Sequence, residues 1–187
     1  MRALGKKASY LLCDLDPESA EDLRRAGGNL STRVVETDGV ETIRHEAEGA
    51  RVNPSDVLVH IDPYEPHERL TRNGMTPIEL AGWLASAGFR VFYWYGYDST
   101  AERGWARREI SRLAPRVELW CGDVRLPSPF VYPGLSGAWG CGIVLANMAP
   151  AEKETCARLG RALERVSADD VLANNEPERL TFAVVGE

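Results

Sequence analysis

The segment DVLVHIDPYEP, Asp56 to Pro66, decides how this chain reads. Val57 to Ile61 is an apolar run interrupted only by His60, the pattern of a buried strand, and it ends abruptly at Asp62-Pro63-Tyr64-Glu65. Such an ending has a chemical use. Pro63 fixes φ and carries no N–H, so the turn offers a carbonyl oxygen rather than a donor. The Asp62 carboxylate and that carbonyl are two acceptors, which suit an amino group with two N–H hydrogens, and an aromatic such as Tyr64 can stack on the ring bearing it. Accepting both hydrogens draws the lone pair of an aromatic amine out of conjugation and so makes it a better nucleophile. His60 falls on the same side of the strand as Asp62 by period-two geometry, and reads either as a proton relay or as a hydrogen-bonded structural histidine.

Upstream, SYLLCDLD is a short apolar strand ending in acids, and PESAEDLRRAGG reads as a helix with Asp16 as cap, Pro17 at its first position and Gly27-Gly28 as its stop. TRVVETDG is a strand over Arg33 to Glu36, followed by a helix in VETIRHEAEGA. Downstream, TPIELAGWLASAG predicts a helix with Thr76 as cap and Pro77 at the first position. FRVFYWYGY is a strand and ERGWARREISRLA an amphipathic helix. After Pro115 come a strand in RVELWCGDV, a Pro- and Gly-rich loop in RLPSPFVYPGLSG, a strand in GCGIVLANM, a helix in AEKETCARLGRALERV and a last strand in LTFAVV. This alternation predicts a single α/β domain over 1–187, its sheet mostly parallel with an antiparallel edge.

Three consecutive predicted strands end in acids: Asp14, Asp38 and Asp62. Each alone reads equally as a helix cap. Together they predict one crevice at the carboxyl ends of the strands, where open α/β sheets bind ligands. A carboxylate there can accept the two hydroxyls of a ribose, and another the exocyclic amino group of adenine.

The formal net charge is −6, from 22 Lys and Arg against 28 Asp and Glu, so the chain does not grip nucleic acid by overall charge. Arg103, Arg107, Arg108 and Arg112 recur at helical spacing, as either a solvated face or a phosphate-contacting one. Cys13, Cys121, Cys141 and Cys156 are far apart and suggest reduced thiols, not zinc or disulfides. No metal-ligand spacing occurs, and Ser136 lacks a nucleophile-elbow context. MRALGKKASYLLCD has too short an apolar run for a signal-peptide core, and no segment approaches the ~20 apolar residues of a membrane span, so no membrane role and a cytoplasmic location are expected. Tyr93, Trp94, Tyr95 and Tyr97 read as sheet core and rim, or as a base-stacking surface.

DVLVHIDPYE resembles the Asp-Pro-Pro-Tyr strand of the Class I S-adenosylmethionine-dependent amino-methyltransferases. The chain as a whole is similar to the bacterial large-subunit rRNA adenine-N6 methyltransferases of the J type. YLLCDLDPESAEDLRR matches that family's acid-ended second strand, RVVETDGVETI its Asp-Gly third strand, GLSGAWGCGIVLANMAP its glycine-rich approach to a late strand, and LTFAVVGE its C-terminal strand. The motif here has one proline where the family has two. The resemblance implies a Rossmann-like Class I methyltransferase sheet whose first strand, with its glycine-rich loop, is missing, which leaves three alternatives: an N-terminally incomplete chain, a second polypeptide that completes the fold, or a rearranged, inactive relative.

By this resemblance Asp14 holds the ribose of S-adenosylmethionine and Asp38, with Gly39 beside it, the donor's adenine. Asp62, Pro63 and Tyr64 hold the substrate amino group, and Glu65 and His67 border the substrate in the loop that follows. The implied activity is N6-methylation of adenine in nucleic acid, RNA in preference to DNA. The alternatives are a noncatalytic partner module derived from a methyltransferase and, given the negative charge, a small-molecule amine methyltransferase.

Overall fold

The computed structural model describes residues 8–28, 30–49, 51–63, 65–99, 101–130, 138–174 and 180–185. They form two compact units, one of Met1–Arg51 with Arg69–Thr76, the other of Val52–Glu68 with Pro77–Glu187.

In the first unit, strands β1 (Ser9–Asp14) and β2 (Ser31–Glu36) form a parallel pair, with Asp14 opposite Glu36. Helix α1 (Pro17–Gly27) crosses between them, its start set as the sequence predicts: Pro17 opens it and the Asp16 carboxylate accepts the N–H of Ser19 at 2.8 Å. Helix α2 (Gly39–Gly49) follows β2. Residues 69–76 belong with α2, because Glu41 Oε1 accepts the N–H of Met75 at 3.3 Å and Arg69 closes the turn on the carbonyl of Gly74 at 2.6 Å. Among the described residues of this unit, Ala20 is the only buried apolar side chain.

The second unit carries the hydrophobic core. Its five-stranded sheet has the order β3 (Leu58–Ile61), β4 (Arg90–Tyr97), β6 (Ala138–Ala146), β5 (Leu119–Phe130), β7 (Thr181–Val184). Strands β3 and β4 are parallel, and the other three pairings are antiparallel. This sheet is therefore mostly antiparallel, where a mostly parallel sheet with an antiparallel edge was expected, because β5 and β6 are consecutive strands that pair directly and place β6 reversed between β4 and β5.

Helices α3 (Pro77–Ser86) and α4 (Trp105–Leu113) pack on the face presented by Tyr93, Tyr95 and Tyr97, and they approach each other so closely that a Cβ on Gly82 would stand 2.5 Å from that of Leu113. Helix α5 (Pro150–Asn174) covers the other face of β5 and β7, where Gly160 leaves room for the Phe182 ring. Asn147, left-handed at φ 54°, ends β6 and donates to the carbonyls of Ala85 and Phe89 at 2.8 Å each, tying the end of α3 to the start of β4.

Two elements outrun their sequence signals. Strand β5 continues through Pro127 and Pro129 to Phe130, where a loop was expected, and its register with β6 shifts between Arg125 and Phe130, the irregularity that lets a strand tolerate proline. Helix α5 runs on past Val166 to Asn174. The remainder of the expected loop, residues 131–137, lies outside the described residues.

Candidate functional site

The predicted donor residues belong to the first unit. Asp14 ends β1 and Asp38 follows β2, and since these neighbouring strands are parallel the two half-buried carboxylates rise from the same end of the pair. Each has one oxygen in a local turn: Asp14 Oδ1 accepts from the N–H of Asp16 and Asp38 Oδ1 from that of Val40, both at 2.9 Å. The Asp38 carbonyl also accepts from the N–H of Thr42 at 3.2 Å, opening α2. Both acids therefore shape helix starts. Neither Oδ2 has a hydrogen bond among the described residues, so each carboxylate keeps an acceptor to offer.

Gly39 lies against the end of β1, where a Cβ would sit 3.3 Å from that of Cys13. The Cys13 thiol is pushed up by burial, which outweighs the opposing pull of Arg33. A hollow of about 480 Å³ opens at the other end of this pair, lined by Ser9–Leu11 and Leu30–Arg33, away from the carboxylates.

The predicted substrate residues belong to the second unit. Asp62 is exposed immediately after β3, and Pro63 behind it is half-buried. Tyr64 lies outside the described residues. Glu65 and His67 are exposed in a turn closed by the Glu68 N–H on the Glu65 carbonyl at 3.3 Å. His67 meets Trp105 at the start of α4, their ring centroids 5.2 Å apart. His60 is exposed, edge-on to Phe92 at 5.0 Å, and has no hydrogen bond among the described residues, so neither sequence-based role for it has a partner there.

One cluster in this unit escaped the sequence reading. Asp123, on β5, is fully buried. It accepts hydrogen bonds from the Tyr95 hydroxyl and from Arg103 Nε, the latter at 3.0 Å, and Cys121 Sγ stands 3.8 Å away. Tyr95, Gly142 and Asp123 form one row across β4, β6 and β5, and a Cβ on Gly142 would stand 2.6 Å from the Tyr95 hydroxyl and overlap Asp123 Oδ1. Burial, with Cys121 and Asp123 beside it, raises the Tyr95 pKa, and burial pushes Cys121 up to about 12. Trp105 stands edge-on to Tyr95 at 5.5 Å and donates from Nε1 to the Gly96 carbonyl at 3.0 Å, so the His67 contact is continuous with the cluster. The signal that could have revealed it is an acid inside an apolar run, Cys121-Gly122-Asp123, beside strand glycines at 140 and 142.

The four arginines do not form one helical face. Arg103 lies before α4 and pairs with Asp123, Arg108 donates to the Arg103 carbonyl at 2.7 Å, and Arg112 pairs with Glu109 at 2.9 Å. The left-handed Gly104, φ 68°, separates Arg103 from the helix. All four cysteines are free, and no cluster of His, Cys, Asp or Glu among the described residues could hold a metal. No described helix is long and apolar enough to cross a membrane.

No family model and no curated protein matches the sequence. Among solved structures, the chain is similar to protein LPL1258 from Legionella pneumophila str. Philadelphia 1, of family model DUF519, with a TM-score of 0.61 at 18% identity. The match covers 98% of this chain and 62% of that one, so this chain spans less than two thirds of that structure's length. At this identity the likeness is one of fold alone.

Proposed function

We propose that the chain is an S-adenosylmethionine-dependent N-methyltransferase acting on the exocyclic amino group of adenine in an rRNA-like nucleic acid. The observation that carries this reading is the placement of carboxylates at the ends of parallel strands: Asp14 at the end of β1 and Asp38 just after β2, each with an uncommitted oxygen, and exposed Asp62 with Pro63 just after β3. The two uncommitted oxygens fit the donor's ribose hydroxyls and adenine amino group. When bound, the donor supplies a methyl group activated on a sulfonium sulfur. Asp14 holds the ribose, Asp38 the adenine, and Gly39 lets the chain pass close beside them. Asp62 and the Pro63 carbonyl accept the two N–H hydrogens of the substrate amine, freeing its lone pair. Tyr64 is the stacking residue of this reading, and Glu65 and His67 border the substrate.

Calorimetric titration with S-adenosylmethionine, followed by transfer of labelled methyl to rRNA fragments, tests the proposal. Micromolar donor binding is expected, weakened in Asp38→Ala. Asp62→Ala should abolish transfer while leaving donor binding intact. Absence of donor binding to the chain, alone and with candidate partner polypeptides, would overturn it.

A second reading, a module completed by another polypeptide, is favoured by the strand edges. Among the described residues β1 pairs only with β2 and β3 only with β4, and on β3 Leu58 is 46% exposed. An open strand edge beside an exposed apolar side chain suits strand addition by a partner. Co-purification of a stoichiometric partner, with no donor binding by the complex, would favour this reading over the enzyme.

A further inference from the structure

We propose that Arg103 binds a phosphate of the nucleic-acid substrate, with Asp123 as the buried anchor that aims its guanidinium. This rests on the reading of nucleic acid as substrate and adds the residue that would hold the strand.

Asp123 is fully buried, whereas the Arg103 side chain is 35% exposed, so the pair runs from the core to the surface. Only Nε is spent on the carboxylate, at 3.0 Å, and the terminal Nη1 and Nη2 have no hydrogen bond among the described residues. Neutralising Asp123 needs a single positive charge. A guanidinium attached through Nε does that and still has terminal donors whose fork matches two phosphate oxygens, which lysine cannot offer.

The location agrees with the proposed chemistry. Arg103 lies in the loop after β4 and Asp62 begins the loop after β3, and because these strands are parallel both loops leave the same end of the pair. The loops touch where His67 packs on Trp105, two residues after Arg103.

The surrounding charge is compatible with an anion. Arg107 Nε is buried without a hydrogen-bond partner among the described residues, and Arg108 is bonded to the Arg103 carbonyl. Of the acids in this loop, Glu102 is engaged by the N–H of Asp98 at 2.9 Å. The buried carboxylate itself restrains Arg103, so less side-chain freedom is lost when an anion binds.

The test uses the whole chain, without methyl donor, and a fluorescent 12-nucleotide single-stranded oligoadenylate titrated across a salt series, with inorganic tripolyphosphate as competitor. The variants are Arg103→Lys, whose ammonium pairs with Asp123 and leaves no fork, and Arg103→Gln with Asp123→Asn, which removes both charges and strands neither in the core. Both, checked by a cooperative melt, should bind the oligonucleotide roughly tenfold more weakly, with a salt dependence shallower by about 0.7 in log–log slope, the signature of one lost phosphate contact on a single strand.

Tripolyphosphate should compete against the native chain and lose that effect in the variants. Binding of tripolyphosphate by calorimetry without any binding of the oligonucleotide would instead identify free phosphate as the ligand and overturn the nucleic-acid assignment. An unchanged slope in a folded variant, or no binding of either probe by the native chain, would also overturn the proposal. Because no donor is present, failure of methyl transfer leaves this outcome intact, and methylated RNA with an unchanged slope would remove the phosphate contact alone.

Discussion

Tyr95 on β4 donates its hydroxyl hydrogen to Asp123 on β5 across the full width of the intervening strand, passing over Gly142. A buried carboxylate is tolerable only when hydrogen-bonded and paired, and Tyr95 with Arg103 meets both conditions. The network therefore joins the middle of the sheet to the loop that carries the proposed phosphate contact.

Gly142→Ala should break this arrangement, since the new methyl group would stand 2.6 Å from the Tyr95 hydroxyl and collide with Asp123. The expected loss is about 2 to 3 kcal/mol, read as a lower urea midpoint at unchanged m-value. Gly96→Ala is the control. Its added Cβ meets nothing closer than 3.8 Å, so its change should stay within about 1 kcal/mol. Equal midpoints for the two variants would contradict the steric account.

Two tyrosines on the same face of β4 should respond oppositely to loss of the hydroxyl. Tyr93 has its hydroxyl buried without a partner among the described residues, and removing an unsatisfied polar group should stabilise Tyr93→Phe by about 1 kcal/mol. Tyr95→Phe takes a donor from Asp123 and should cost about 2 kcal/mol. Chemical denaturation of both variants gives the signs directly, and destabilisation by both would show that Tyr93 has a partner.

Asp62 was legible because an apolar run stops there, a local pattern that survives into the fold as β3 and its exposed terminal acid, although the strand that reads as buried pairs only with β4 among the described residues and leaves Leu58 and His60 exposed. The helix starts at Pro17 and Pro77 were legible for the same reason, since proline at a first helical position needs no tertiary context. Asp123 was not. Its partners come from β4 and the loop after it, and its space comes from Gly142, so its role depends on a register that no local window contains. Arg103 was misread as part of a helical face because its spacing to Arg107 and Arg108 is helical, whereas Gly104 starts the helix only after it. The proline-containing half of β5 was read as loop because a register irregularity between strands leaves no sign in either strand alone.

Alkaline pH should loosen the second unit. Burial pushes Cys121 from 9.0 up to about 12 and raises Tyr95 as well, so the folded state holds these protons more tightly than the unfolded chain. The stabilisation is complete below the unfolded thiol's pKa and is lost as pH climbs from 9.0 toward about 12. Thermal midpoints should therefore be flat from about pH 7 to 8.5 and fall above that, and Cys121→Ala should shallow the fall. A thiol reagent should reach Cys121 only on unfolding. A flat alkaline limb, or rapid labelling of Cys121 in the native state, would contradict this environment.

The two units should differ sharply in hydrogen exchange. In the first, Ala20 is the only buried apolar side chain among the described residues, and a lone parallel strand pair with so little apolar burial has little to oppose local opening. In the second, Leu80, Leu84, Tyr93 and Ile110 are fully buried around a five-stranded sheet. Amides of β1 and β2 should therefore exchange at least roughly a hundredfold faster than those at the centre of β4 and β6, as resolved by mass spectrometry of peptides from each strand. If a partner polypeptide supplies a strand to either open edge, protection of β1 or β3 should rise on its addition while the β4 and β6 amides, already at the global limit, change little. Uniform protection across all four strands in the chain alone would mean that the first unit draws its stability from contacts other than its own buried apolar surface.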